Sequence, residues 1–449
     1  MESELPIVRD WATRTIQSDF MILETQDLRE YWDGLRLAES SQGRGVTELQ
    51  MHNTFASGYT AALSKNVAMS PGQSRKRTRE DRENVPLPTA SDGVVLETCT
   101  LTVGYTIRNA AAEKYPDFLS STQTKRSMII LGLNGILDLD NERNGSQKTL
   151  FNDKQWKELH ERFPPPVLKD FKLDSEEAFL ETVHTIEKNA KNSSLAIAKY
   201  DAAKAEYMTK NDSHAIVYSI YGHFINLLQY HRYIFATDDQ TLAENDYIVK
   251  VWAQVIEPLF RHSDLRCAWG ETHCTSVETE KKVMKADLRL VNNKRDYATA
   301  EVCKDKPRPF KVCADRTKLL LEGKLLLNRL FPHHIDTVFL LHVSGLELRI
   351  LSLQLVADGL YIASTIESLT LPRHKDRLRV LSSKLLPKLL AFRDAVDDLH
   401  TRETESEQRH VSGMNGLSAS TADTRQAVSN TVKLWTVPLW LPQKLKSGD

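Results

Sequence analysis

Residues 285–304 read Lys285-Ala286-Asp287-Leu288-Arg289-Leu290-Val291, then Asn292-Asn293-Lys294-Arg295-Asp296, then Tyr297-Ala298-Thr299-Ala300-Glu301-Val302-Cys303-Lys304. Side chains alternate across a β-strand, so the first run points Met284, Ala286, Leu288 and Leu290 toward a core and Lys285, Asp287 and Arg289 away from them. The second run sets Tyr297, Thr299, Glu301 and Cys303 opposite Ala298, Ala300 and Val302. Five polar residues lie between, which predicts a β-hairpin. Such a hairpin brings Asp287 and Glu301 together on neighbouring strands.

Outward from this hairpin the pattern stays that of a small α/β unit. Asp315 is expected to cap a helix with apolar positions at Leu319, Leu320, Leu326, Leu327 and Leu330. Strands are expected next at 338–343, 346–355 and 360–366, the last two joined by the turn Ala357-Asp358-Gly359. A final amphipathic helix is expected over 376–399, with a kink at Pro387.

The preceding residues are patterned mainly as helices. Asp174 with Glu177 marks one start, and Asp212-Ser213 begins a second with Ile216, Ile220, Phe224 and Leu227 on one face. A third runs from about Asp246 and carries Val251, Trp252, Val255 and Ile256. Residues 94–107 alternate as a strand would. The expected organisation is a helical segment at 1–69, a disordered basic linker at 70–92, a mainly helical domain at 93–240 and an α/β domain at 241–400. A disordered polar tail at 401–449 would end in a segment holding Trp435 and Trp440, fit to dock on the domain or on a partner protein. The fold class is therefore α+β overall, helical first and then a mixed sheet.

With 449 residues, 59 Lys and Arg against 60 Asp and Glu, 41% hydrophobic residues and a mean hydropathy of -0.40, a polytopic membrane protein is excluded. The net charge of -1 likewise excludes a uniformly basic coat for nucleic acid. The apolar run 216–235 is broken by His223, Gln229, His231 and Arg232, so no membrane association is expected. Five cysteines without a leader-like start indicate a reducing compartment. Arg75, Lys76, Arg77 and Arg79 look like a nuclear-import signal, so a nuclear location is expected, or otherwise a cytoplasmic one. Nucleotide-binding, hydrolase and kinase motifs are missing from the sequence.

Two carboxylates on one hairpin suit a hard divalent cation, since Mg²⁺ takes oxygen ligands and keeps waters for its substrate. Glu271, in Trp269-Gly270-Glu271-Thr272, offers a third acid. On these residues the 245–370 region resembles the restriction-endonuclease-like superfamily written PD-(D/E)XK. The resemblance implies an α-β-β-β-α-β core and a Mg²⁺-dependent nuclease. It casts Asp287 and Glu301 as metal ligands, Glu271 as the acid of the preceding helix and Lys304 as the catalytic lysine. The family pattern is acidic-x-Lys, whereas Glu301-Val302-Cys303-Lys304 has one residue more, which puts Cys303 where the lysine belongs. A β-bulge would restore Lys304; Lys285 or Lys324 are the other sources of an ammonium. The chain as a whole is also similar to fungal proteins with a comparable C-terminal block, a likeness that implies no activity.

Between Lys281 and Lys318 twelve Lys or Arg face only five Asp or Glu. Such a patch suits DNA or RNA phosphates, with Lys281, Lys282, Lys285, Arg289, Lys306 and Arg308 as contacts. Three readings compete: a nuclease, a non-catalytic nucleic-acid-binding or interaction protein on the same scaffold, and a domain whose charged hairpin face is merely solvated. Cys267, Cys274, Cys303 and Cys313 are spaced too widely for a zinc finger or ribbon.

Overall fold

In the β3–β4 hairpin, Lys285–Asn292 and Arg295–Cys303 pair antiparallel across Asn293 and Lys294, which hold φ of 45° and 68°. Two left-handed residues give the turn the twist its strands need, and Asn tolerates that region readily. This computed structural model describes residues 93–169, 171–173, 177–236, 242–273 and 284–414. The basic run at Arg75, Lys76, Arg77 and Arg79, the contacts Lys281 and Lys282, the Asp174 cap and the Trp435/Trp440 segment all lie outside those residues.

The expected α+β class is observed, with helices first and a mixed sheet after them. The helices are α1 (Val103–Lys114), α2 (Gln123–Leu133), α3 (Asp153–Arg162), α4 (Glu177–Asn192), α5 (Leu195–Met208) and α6 (Asp212–Tyr230). A short α7 (Glu244–Tyr247) runs through one π-helical turn into α8 (Ala253–Leu259). The sheet strands, in spatial order, are β1 (Ile136–Asp138), β7 (Leu360–Thr370), β6 (Glu347–Ala357), β5 (Thr337–Ser344), β4, β3 and β2 (Arg266–His273). β1 with β7 and β4 with β5 are parallel; the other neighbours are antiparallel. Between β4 and β5 the chain crosses through α9 (Pro309–Leu330), and it leaves β7 toward α10 (Leu386–Met414). From α8 onward the order α-β-β-β-α-β is therefore present.

Several details differ from the sequence reading. Residues 94–107 form no strand: Thr102 caps α1 by accepting from the Tyr105 amide, and one bridge, Val95 to Thr102, is all that remains of the alternation. Glu271 belongs to a strand, β2, rather than to a helix. A bulge between Trp269 and Thr272, with Gly270 at φ +88°, breaks the alternation that would have announced it. Asp315 does not cap α9. That helix starts six residues earlier, with Pro309 in its first turn, where the missing amide costs nothing. Pro387 follows directly on a π-helical turn over Leu381–Leu385, a local irregularity that accommodates its missing amide inside the helix. α10 then continues to Met414, well past the expected end at 399. It is held there by Glu403, which is buried against Arg329 and reaches Arg295.

The segment 93–240 shares its sheet and core with the α/β part of the chain. β1 forms the sheet edge, and Arg316 of α9 grips Asp138 at 2.7 Å and 2.8 Å and Asp140 at 2.7 Å. Leu288, Leu290, Ala298, Ala300 and Val302 enter the same core as Ile220, Phe224, Val251 and Trp252. None of the described helices is long and apolar enough to cross a membrane.

Candidate functional site

Tyr297, Thr299, Glu301 and Cys303 are 2, 3, 3 and 0% exposed, so the charged hairpin face is not solvated. α9 lies over β4 and buries it. Register places Leu288 opposite Ala300, which makes Asp287 and Glu301 the next pair along. The half-buried Asp287 carboxylate accepts from the Val302 amide at 2.8 Å, so it is fixed against β4 beside Glu301. From above, α9 adds Lys318, whose Nζ lies 2.6 Å from Glu301 Oε1, and Glu322 one turn later.

Burial dominates the electrostatics of this group. It pushes the Glu301 carboxyl up to about 8, against the pull of Lys318 and with the help of Asp287. Glu322 is raised well above the usual carboxylate range, again by burial and then by Glu301. Burial opposes the charge on Lys318, but the Glu301 and Glu322 carboxylates outweigh it and raise its pKa. No donor reaches either Glu322 oxygen in hydrogen-bonding geometry, although the Thr299 hydroxyl lies beside it. Three acids and one ammonium in a dry setting form a system with protons to release and lone pairs to offer.

Of the residues expected at this site, Asp287 and Glu301 are brought together. Glu271 lies in the β2 bulge near Asp287, with its side chain outside the described residues. Lys304 stays exposed in the loop after β4, and no bulge turns it inward. Lys324 is remote from the site: it is fully buried, donating to the Asn134 carbonyl at 2.9 Å and stacked over Tyr361. Arg289, read as a phosphate contact, is buried and paired to Asp296 at 2.8 Å. Lys285, Lys306 and Arg308 are exposed. Lys318 and Glu322 were missed, although both interrupt a leucine-rich helix at a spacing of four and bracket Leu319-Leu320-Leu321. No protein-family model, curated protein or solved structure matches the chain.

Proposed function

We propose that this chain is a Mg²⁺-dependent phosphodiesterase acting on DNA or RNA, on a scaffold similar to the PD-(D/E)XK nucleases. One observation carries the reading: Asp287 and Glu301 on paired strands meet Lys318 and Glu322 from the helix after β4. The two Glu322 oxygens are buried without a donor, a deficit that a hard cation would relieve, and Asp287 and Glu301 are the neighbouring acids that would help to hold it. Bound there, Mg²⁺ would polarise a phosphodiester and acidify an attacking water.

The chain's own groups do the rest. Lys318 stands in for the strand lysine that Cys303 displaces: it neutralises the inner carboxylate and holds positive charge beside the scissile group. Asp287 is fixed by the Val302 amide, so its second oxygen is preset. Lys304, Lys306 and Arg308, exposed at the end of β4, supply charge for the flanking phosphates.

Cleavage of plasmid DNA and of a single-stranded RNA with Mg²⁺ tests this. Asp287→Asn and Lys318→Ala are expected to lower the rate by about 10²-fold or more, since each removes several kcal/mol of charge stabilisation. Lys285→Ala should leave it within a small factor. Equal activity of Asp287→Asn and wild type overturns the reading.

A second reading rests on the Lys318–Glu301 ion pair. A buried carboxylate already neutralised by the chain itself suits a protein that binds nucleic acid without cutting it. Salt-sensitive binding with no cleavage at any Mg²⁺ concentration would select it.

A further inference from the structure

Next to the carboxylate group, and separate from it, three side chains of different chemistry converge. Cys303 closes β4, His342 lies on β5 opposite Glu301, and Asp315 comes from the second turn of α9. Cys303 Sγ, one Asp315 carboxylate oxygen and one His342 ring nitrogen all lie within 4.8 Å of one another. All three residues are buried, at 0, 6 and 2% exposure.

Two of the three keep a buried polar atom without a partner. Lys311 takes Asp315 Oδ1 at 3.0 Å, while Oδ2 has no partner. His342 Nε2 is buried and also has none. The Cys303 thiol donates to the Val343 carbonyl at 3.2 Å and also meets Ser344. Leaving a buried imidazole nitrogen and a buried carboxylate oxygen unmet costs about 1–3 kcal/mol each. A single ion held by all three would take one lone pair each from the carboxylate and the imidazole and, as its third ligand, the thiolate, the thiol proton leaving to solvent.

We infer that Cys303, Asp315 and His342 form a binding site for a zinc-like divalent ion. The donor set argues for that class. Thiolate and imidazole are soft or borderline ligands that select Zn²⁺, whereas Mg²⁺ prefers oxygen alone. Zn–S of about 2.3 Å and Zn–N or Zn–O of about 2.0–2.2 Å require ligand atoms about 3.3–3.6 Å apart. The trio therefore needs only a modest contraction, within reach of side-chain rotation. A fourth position is left for water or another donor.

The ion would cross-link β4, β5 and the N-terminal half of α9. Asp315 lies one turn before Lys318, so the site would hold in register the helix that presents Lys318 to Glu301. The same cysteine that displaces the family lysine from its strand position thereby acquires a task. The inference stands whether or not the neighbouring carboxylates cut phosphodiesters, because its readout is metal content and not cleavage.

The test uses the full chain, purified without added metal, stripped with a chelator and refilled with Zn²⁺ or Co²⁺ alone. One tightly bound Zn²⁺ per chain is expected, and the Co²⁺ form should show a thiolate-to-cobalt charge-transfer band together with the intense visible bands of a tetrahedral site. Cys303→Ala should abolish the charge-transfer band, and His342→Gln should weaken metal binding by about 10²-fold or more. Cys267→Ser should change neither. Because buried variants can fail to fold, a chain keeping Cys303 as its sole cysteine serves as the independent check, and it should retain the band. Wild-type chain that is folded yet gives no charge-transfer band with Co²⁺ overturns the inference, as does a band that survives in folded Cys303→Ala.

Discussion

His223 of α6 shows how a single side chain sets a pH limit on the fold. Its ring is half-buried, Nε2 meets no partner, and burial lowers its pKa from 6.5 to about 4. The folded chain thus keeps it neutral where the unfolded chain would protonate it. A depressed folded pKa gives a contribution that is complete above about 6.5 and is lost as pH falls toward 4. Between pH 7 and pH 5 this group lowers Tm while the raised Glu301 and Glu322 carboxyls act the other way, so the net drop should be smaller in His223→Leu than in wild type, with Tm at pH 7 nearly unchanged. Thermal melts at the two pH values measure it; an identical drop in both proteins would refute this assignment. Neither this nor the Lys318–Glu301 pair could be read from composition. The sequence shows His223 only as a polar break in an apolar run, and Lys318 only as one of many cations. What marks both is an apolar neighbourhood, and for Lys318 the leucines on either side made that legible.

α9 controls the site because it lies unusually close to the sheet. Gly323 has no Cβ, and one added there would come within 2.6 Å of Leu340 Cδ1 and 3.3 Å of Leu353 Cδ2, both in the fully buried core. A mid-helix glycine ordinarily costs about 1 kcal/mol relative to alanine, so replacing it is stabilising where space allows. Here space is lacking, and overpacking of about 1–3 kcal/mol opposes the gain. Gly323→Val is expected to lower stability by about 2 kcal/mol or more by denaturant unfolding. It should also lift Glu322 and Lys318 off β4, so any cleavage activity would fall with it; unchanged stability would show that α9 has slack. The elements themselves were unevenly legible. The β3–β4 hairpin and β5–β7 alternate cleanly, so their pattern alone defines them. β2 is hidden by the bulge at Gly270, and β1 has only three residues, which become a strand because β7 is there to pair with. About the last four turns of α10 look like a polar tail, yet Glu403 is buried because Arg329 and Arg295 await it.

Across the described chain, charge is divided rather than balanced. The inner carboxylates Asp287 and Glu301 lie under α9 and Glu322 on its sheet-facing side, while Lys285, Lys304, Lys306 and Arg308 are exposed around the same strands. Arg289 and Arg316, counted among the twelve cations of this region, are consumed by buried acids. On the proposed nucleic-acid-binding reading, the patch open to phosphates would accordingly be smaller than the local sum suggests. Binding to a short DNA duplex should weaken with added salt, and the combined variant Lys304→Ala, Lys306→Ala and Arg308→Ala should flatten the salt slope by about two to three units. Fluorescence anisotropy across a salt series measures the slope, and an unaltered one would place the nucleic acid elsewhere. Lys318→Ala, by contrast, is expected to alter cleavage far more than binding.

The pairing of β1 with β7 bears on how the chain comes to be made. Ile136 meets Tyr361, so roughly 225 residues must be gathered before this edge of the sheet can close. During synthesis β1 emerges early and waits, its backbone groups unmet, while α3 through α9 and six further strands are added. Asp138 and Asp140 wait as well, since Arg316 is translated long after them. The sheet is thus sealed only when its last strand docks on its first, a non-local closure of the kind that slows folding. A chain cut short before β7 would keep its first strand without the neighbour it pairs with in the sheet.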